Sequence, residues 1–197
     1  MGSFTQLTYH FVFGTKFRRR SIGQDVAEPL YEYIGGTIRN RKGRLIQIGG
    51  VEDHLHLLVG MPPTITVSHT VRDIKANSSK WLNEKQESRN ASDKFEWQIG
   101  FGAFTVSYSQ IEVVQNYIQN QREHHRNRTF EEEYVALLKR HKQSPTLARS
   151  AHREGISESV ASLHSVSSIN HRTTIKIDHQ RHFQPLHRQI RVQASGH

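Results

Sequence analysis

Residues 51–59 read VEDHLHLLV, and from His54 onward they indicate a strand that continues to Met61. Side chains along a strand point alternately to the two faces of a sheet. Every second residue from Leu55 onward is apolar and would face a core. His54 and His56 would share the opposite face. The stretch therefore predicts a strand that buries one face and holds two imidazoles side by side on the other.

Strand and helix patterns alternate on both sides of this segment. The predicted elements, in chain order, are a strand over 7–13, a helix over 25–41, strands over 45–51 and 54–61, a helix over 67–85 and a strand over 97–106. This β-α-β-β-α-β order is typical of an α+β protein with a ferredoxin-like (RRM-like) α/β sandwich and an antiparallel sheet. Two C-terminal helices follow, and capping boxes are predicted to begin them at Ser109 and Thr129.

Composition limits the class of protein and its partners. The chain has 197 residues, no Cys and a formal net charge of +9. The absence of Cys excludes disulfides and thiolate metal sites. Because no apolar run approaches the ~20 residues of a membrane helix and no secretory leader is recognisable, we expect a cytoplasmic protein with no membrane partner. The excess of Lys and Arg favours a polyanionic partner, although many basic proteins bind no nucleic acid specifically.

The last quarter of the chain differs in composition from the rest. Residues 142–197 hold 8 Lys and Arg against 3 Asp and Glu, are rich in Ser and His, and contain a single aromatic residue, Phe183. Such a segment buries too little apolar surface to offset the entropy lost on ordering. We therefore predict one structured domain over 1–141 and a disordered basic tail over 142–197.

The paired histidines of the third strand are candidate metal ligands. Two imidazoles on one strand face can bind a single divalent ion and leave coordination positions open for water or a substrate oxygen. The alternative is that His54 and His56 are polar residues on a solvated strand face. The residue pattern alone leaves both interpretations open.

The first C-terminal helix carries a second candidate group. Val114, Tyr117, Ile118 and Gln121 lie on one stripe at helical spacing. The Gln121 amide oxygen is a plausible third ligand for a hard divalent ion. The Tyr117 hydroxyl would be a nucleophile only with help from a metal or charge, because the pKa of tyrosine is about 10. Tyr117 is otherwise an ordinary aromatic at the edge of the core.

Other polar residues are weaker candidates. His10 lies on the strand expected beside the His-pair strand and on the same face, where it would either assist the site or be structural. His124 and His125 end the Tyr117 helix, and we assign no chemistry to them. Seven basic residues are candidate phosphate contacts, with a solvated surface role as the alternative for each: Lys16, Arg18, Arg19, Arg20, Arg72, Lys75 and Lys80.

Six segments resemble a known family in their order along the chain. They are LTYHFVFGTK (7–16), VEDHLHLLV (51–59), IKANSSKWL (74–82), WQIGFGAFTVS (97–107), YIQNQREHH (117–125) and FEEEY (130–134). The family is that of the single-tyrosine HUH transposases, the TnpA-like transposases of small insertion sequences that move as single-stranded DNA. The REP-associated tyrosine transposases are relatives. The resemblance covers about residues 1–140 and ends where the Ser/His/Arg-rich tail begins, in place of the family's usual short acidic and aromatic ending.

The resemblance implies a mechanism and a set of residues. Tyr117 would be the nucleophile on an added C-terminal catalytic helix, and His54, His56 and Gln121 would bind Mg²⁺ or Mn²⁺. The enzyme would cleave and rejoin single-stranded DNA through a 5′-phosphotyrosine, and it would recognise hairpins at the ends of the element. It would act as a homodimer with composite active sites, the His pair of one subunit working with the Tyr117 helix of the other.

Two other classes of function stay open on the sequence. One is a domesticated or inactive nucleic-acid-binding protein on the same fold. The other is a metal-dependent nuclease that uses water, in which Tyr117 is only structural.

Overall fold

The structure is a computed structural model that describes residues 4–85 and 94–143 of the chain. Its strands and α-helices, in chain order, are β1 (Thr8–Gly14), α1 (Gln24–Asn40), β2 (Arg44–Val51), β3 (His54–Gly60), α2 (Val67–Lys85), β4 (Gly102–Thr105), α3 (Ile111–Gln119), α4 (Gln121–His124) and α5 (Phe130–Arg140). The strands form one antiparallel sheet in the order β2-β3-β1-β4. The predicted ferredoxin-like α+β sandwich is confirmed.

The fourth strand is shorter than the predicted range of 97–106. Trp97 makes only an isolated bridge with Thr15, and regular pairing begins at Gly102. The intervening backbone is bound by a side chain instead, because the Lys75 ammonium donates hydrogen bonds to the carbonyl oxygens of residues 98, 99 and 100 at 2.8–3.1 Å. A loop held in this way replaces the first half of the expected strand.

The two faces of the sheet are covered by different helices. Leu55 and Leu57 of β3 lie in the main core with apolar residues of α1 and α2, as strand periodicity predicts. On the other face, Leu58 packs with Ile118 of α3, and Val12 of β1 packs with Leu137 of α5. The face that carries the two histidines is therefore covered by the C-terminal helices of the same chain.

A glycine in β2 sets the distance between α3 and the sheet. Gly49 pairs with His56, and a Cβ atom built at Gly49 would clash with the carbonyl oxygen and side chain of Ile118. The helix backbone thus approaches the sheet where a side chain would block it. This close contact brings the C-terminal half of α3 over the histidines.

We expect Gly49→Ala to lower the free energy of unfolding by about 1–3 kcal/mol, because the added methyl must push α3 away from the sheet. Urea denaturation followed by circular dichroism measures the change. Gly100→Ala is the matched control, since a Cβ at Gly100 meets nothing within 4 Å. Equal stability of the two variants would contradict this account of Gly49.

The two predicted helix starts have different outcomes. Thr129 and Glu132 form the predicted capping box at the start of α5. The capping box predicted at Ser109 is wrong, because a 3₁₀ turn over Tyr108–Gln110 comes first and α3 begins at Ile111 without a side-chain cap. That extra turn places Ser109 before the helix, where its hydroxyl oxygen lies 3.2 Å from that of Ser107.

The predicted tail lies almost wholly beyond the described residues, whereas the described helices can be examined for membrane spans. Of the predicted tail over 142–197, all but Lys142 and Gln143 lies outside the described residues, so the domain boundary at 141 stays a prediction. Within residues 4–85 and 94–143, every helix is too short or too polar to cross a membrane.

Candidate metal and nucleophile site

The two histidines of β3 lie at the centre of the covered face. In the ladder with β1, His54 pairs with Gly14 and His56 pairs with Val12. Both side chains are completely buried, and their ring centroids are 5.1 Å apart. They are therefore not residues of a solvated strand face, which was the simpler alternative from sequence.

Hydrogen bonding orients the first histidine. The Nδ1 atom of His54 lies 2.8 Å from the Asp53 carboxylate, and Arg18 donates to the other oxygen of that carboxylate at 2.8 Å. Burial would raise the pKa of Asp53, but the hydrogen bond with His54 and the charge of Arg18 outweigh it and lower the pKa. A carboxylate only accepts hydrogen bonds, so this contact favours a proton on Nδ1 of His54, and Nε2 is directed into the site.

The second histidine contacts His10 of β1. The Nε2 atom of His10 lies 2.9 Å from Nδ1 of His56, and both rings are buried. Burial lowers the pKa of His56 to about 4, which leaves the ring neutral near pH 7. Neutral imidazole is the form that binds metals. The predicted position of His10 on the same face is confirmed, and its assisting role stays a prediction.

Helices α3 and α4 bring Tyr117 and Gln121 to the histidines. The Tyr117 ring centroid is 5.8 Å from that of His56, and the Gln121 side-chain oxygen lies 3.3 Å from Nε2 of His54. A break at Asn120 separates the two helices, so Gln121 opens α4 and does not continue α3. All four predicted site residues meet within one chain.

A fifth residue, Glu133 of α5, lies among them and was not predicted. Its side chain is 1% exposed. One carboxylate oxygen, Oε1, accepts hydrogen bonds from the Tyr117 hydroxyl and, at 2.8 Å, from the Gln121 amide. The other, Oε2, lies 3.3 Å from Nε2 of His56 and 3.4 Å from Nε2 of His54. Glu133 thus contacts all four of the predicted metal ligands and nucleophile, which are His54, His56, Gln121 and Tyr117.

A second unpredicted residue, His125, completes the surroundings of this carboxylate. Its Nε2 atom lies 3.0 Å from Oε2 of Glu133, and its ring stacks edge-on against His54. Burial would lower the pKa of His125, but the contact with Glu133 outweighs it and raises the pKa. The sequence interpretation assigned His125 no chemistry, because its helix position suggested only an interaction with the dipole.

The carboxylate also changes the titration of the site. Burial would raise the pKa of Glu133, but hydrogen bonds with His125, His54 and His56 hold it far below its usual range. Burial and the hydrogen bond to Glu133 raise the pKa of the Tyr117 hydroxyl. In this arrangement Glu133 is ionised and Tyr117 is protonated, so Tyr117 needs a further positive charge nearby to ionise.

The arrangement could hold a metal ion. His54, His56 and Glu133 each offer one ligand atom, and these three atoms lie within 4.8 Å of one another. The Gln121 oxygen faces the same space. Imidazole nitrogens with carboxylate and amide oxygens form a donor set that suits divalent ions such as Mn²⁺ and Mg²⁺.

A pattern in the sequence did mark Glu133. Phe130, Tyr134, Leu137 and Leu138 form an apolar stripe at helical spacing, and Glu133 occupies a position of that stripe. An acidic residue on the buried face of a helix needs a partner in the interior. The neighbouring Glu131 and Glu132, which are exposed, conceal this signal in the run of three.

The predicted basic residues fall into two groups. Arg18 and Lys75 are bound within the protein, Arg18 by Asp53 and by stacking 3.6 Å from the Phe130 ring centroid, and Lys75 by three carbonyl oxygens. Burial lowers the pKa of Lys75 to about 8. The others are at least partly accessible to a ligand: Lys16, Arg19, Arg20, Arg72 and Lys80.

Comparison with known proteins identifies the family. A family model described as IS200-like transposase matches residues 3–121, which is more than half of the chain. The chain is 28% identical to the transposase of insertion sequence element IS200 from Salmonella typhimurium over 120 residues, 58% of this chain and 76% of that protein. It is 25% identical to the ISDra2 transposase TnpA of Deinococcus radiodurans over 123 residues, 59% of this chain and 84% of that protein.

A solved structure has the same fold. A putative transposase from Deinococcus radiodurans R1 superposes with a TM-score of 0.50 at 24% identity, over 61% of this chain and 95% of that one. That likeness shows the fold, an α+β sandwich with an antiparallel sheet. The chain belongs to the IS200-like transposase family, and the resemblance found in the sequence is confirmed. DNA transposition is the process in which this family acts.

Proposed function

We propose that the protein is a transposase that cleaves and rejoins single-stranded DNA through a 5′-phosphotyrosine on Tyr117. One observation carries the proposal: the Tyr117 hydroxyl lies beside a buried group of side chains that could bind a metal ion, on a transposase-family fold. A tyrosine at the edge of an ordinary core would have no reason to adjoin two histidines, a glutamine and a glutamate.

The chemistry follows from these residues. The Tyr117 oxygen attacks the scissile phosphorus, the bond from phosphorus to the 3′ oxygen breaks, and the proton lost by Tyr117 is balanced by the one gained by the new 3′-hydroxyl. A 3′-hydroxyl then attacks the phosphotyrosine, which restores the phosphodiester and the Tyr117 hydroxyl. Because one phosphate ester replaces another at each step, rejoining needs no ATP.

Three predicted residues would hold the metal ion. They are His54 and His56, through Nε2, and Gln121, through its side-chain oxygen. A bound Mg²⁺ or Mn²⁺ would supply Lewis-acid polarisation of the phosphodiester and positive charge near Tyr117. Asp53 and His10 hold the far sides of the two imidazoles and so fix the direction of the ligand atoms.

The proposed partner is single-stranded DNA that forms hairpins at the ends of the element. The net charge of +9 favours binding of such a polyanion. Among the predicted contacts, we propose that the accessible residues bind phosphates: Lys16, Arg19, Arg20, Arg72 and Lys80. Arg18 and Lys75 would contribute mainly by holding Asp53 and the 98–100 loop.

The function is tested by incubating the protein with Mg²⁺ and a single-stranded hairpin DNA and examining the products on a denaturing gel. We expect a covalent protein–DNA adduct and a free 3′-hydroxyl end. Cleavage without any adduct would favour the nuclease that uses water. Binding without cleavage would favour the inactive nucleic-acid-binding protein.

The homodimer with composite sites is a separate proposal, which rests on the resemblance. In the structure His56 and Tyr117 meet within one chain, so a composite site requires the partner's α3 to take this place. Mixing a His56→Ala chain with a Tyr117→Phe chain distinguishes the two arrangements. A composite site regains activity in the mixture, whereas a site built within one chain stays inactive, provided that fluorescence energy transfer shows subunit exchange.

A further inference from the structure

The carboxylate of Glu133 is the part of the site that the proposed function leaves without a role. Helix α5 places it 1% exposed against both histidines, Gln121 and Tyr117. We propose that Glu133 is the anionic ligand of the divalent ion, bound through Oε2, and that its Oε1 atom holds the Tyr117 hydroxyl beside that ion. This inference rests on the proposed function for the role of Tyr117, but not for metal binding itself.

Possible ligand atoms converge at one point beside His54. Nδ1 of His54 faces the Asp53 carboxylate, so Nε2 is the ring nitrogen directed toward Gln121 and Glu133. The Gln121 amide nitrogen donates to Glu133, which turns its oxygen toward that same Nε2 at 3.3 Å. Oε2 of Glu133 lies 3.4 Å from Nε2 of His54. A ring nitrogen, an amide oxygen and a carboxylate oxygen thus lie where the ligands of one cation would lie.

The spacing of these atoms favours a metal ion as that cation. Ligand atoms about 2.1 Å from one ion lie roughly 3.0–3.4 Å apart when the angles between them are about 90–110°. Three contacts in this group have such distances. The Gln121 oxygen lies 3.3 Å from Nε2 of His54. Oε2 of Glu133 lies 3.3 Å from Nε2 of His56 and 3.4 Å from Nε2 of His54. The alternative is that these side chains hydrogen-bond directly to one another without an ion, and the Mn²⁺ titration below separates the two.

A divalent ion also favours a negatively charged ligand. Neutral imidazoles and an amide bring no negative charge, whereas Mg²⁺ is bound in proteins through one or two carboxylates. The other nearby carboxylate, that of Asp53, contacts the far side of His54 and is paired with Arg18. Among the described residues, Glu133 is the acidic residue of the group whose ligand atoms could surround one ion.

Rigid anchoring suits Glu133 to both roles. The capping box of Thr129 and Glu132 fixes the first turn of α5, directly before Glu133, and Leu137 packs against the sheet one turn after it. The two carboxylate oxygens then face different partners, Oε2 the histidines and Oε1 the Tyr117 hydroxyl. A carboxylate fixed in this way sets the position of the nucleophile relative to the ion.

The test measures Mn²⁺ affinity of the full chain by isothermal titration calorimetry. We expect Glu133→Gln, which keeps the shape and removes the charge, to weaken Mn²⁺ binding by at least about 100-fold, since even outer contacts of metal ligands contribute 10–100-fold. Glu131→Gln, an exposed neighbour on the same helix, is the matched control and should bind as wild type does. Unchanged affinity of Glu133→Gln would overturn the proposal.

A second variant covers the case in which Glu133→Gln does not fold, as judged by circular dichroism. Glu133→Asp keeps the charge on a shorter side chain and should bind Mn²⁺ more tightly than Glu133→Ala by about tenfold or more. Equal affinity of these two variants would overturn the proposal, as would the absence of Mn²⁺ binding by the wild-type chain.

The adduct assay tests the proposed function independently of whether Glu133 binds the metal ion. A wild-type adduct together with unchanged affinity of Glu133→Gln would remove Glu133 from the metal site and leave the transposase chemistry intact. Loss of Mn²⁺ affinity in Glu133→Gln without any wild-type adduct would establish the ligand and refute the nucleophile. The role in positioning Tyr117 predicts a lower cleavage rate for Glu133→Gln even at saturating Mn²⁺, and an unchanged rate there would refute that role.

Discussion

Replacement of Tyr117 by Phe is expected to abolish the covalent adduct and to slow DNA cleavage by roughly 10⁴-fold or more, because the variant lacks the attacking oxygen. The ring itself is kept, so packing near His10, His56 and Ile118 should be unchanged. The variant loses the hydrogen bonds of the hydroxyl to Glu133 and Gln121. Hairpin DNA binding should therefore stay within about twofold of wild type.

Tyr108 provides the control for this variant. It lies in the 3₁₀ turn before α3, nine residues before Tyr117, and is 79% exposed. Tyr108→Phe should cleave DNA and form the adduct at the wild-type rate. An adduct that survives in Tyr117→Phe would show that another residue is the nucleophile. Cleavage by this variant at the wild-type rate without an adduct would show that water is the nucleophile.

Replacement of His56 by Ala is expected to have the second largest effect. The variant removes one ligand nitrogen from the centre of the site and leaves His10 without its partner. We expect Mn²⁺ affinity to fall by at least about 100-fold and cleavage to fall with it. The cavity should also lower the free energy of unfolding by about 2–4 kcal/mol.

Stability must be measured separately for this variant, because lost packing and a lost ligand both reduce activity. His69→Ala is the control, since His69 is exposed on α2 and is far in sequence from the cluster. If His56→Ala is folded by circular dichroism yet binds Mn²⁺ as the His69→Ala protein does, His56 is not a ligand. Removal of divalent ions with EDTA should reproduce the loss of cleavage in wild type and be reversed by added Mg²⁺.

Strand periodicity was sufficient to predict much of the fold. It assigned Leu55 and Leu57 to the helix-packed core and His54 and His56 to the opposite face, as observed. The rule works here because β3 is a central strand with different surroundings on its two faces. Helical spacing likewise placed Tyr117 on the buried side of α3 beside the apolar residues of the covered face.

The parts that could not be predicted depend on contacts between distant segments. Nothing local marks Lys75 as a ligand of three carbonyl oxygens or shortens β4 to Gly102–Thr105. Glu133 lies 12 residues beyond Gln121 and reaches the site only because α5 folds back over β1. Its burial, which is the informative fact, follows from that packing and was hidden within a run of three glutamates.

The most direct test of the central claim maps the site of DNA attachment. Trypsin should release residues 95–122 as one peptide that contains both Tyr108 and Tyr117. After reaction with hairpin DNA and nuclease digestion, tandem mass spectrometry of this peptide locates the residual 5′-phosphonucleotide. The account predicts that the modification is on Tyr117, and a modification on Tyr108, or on a different peptide, would contradict it.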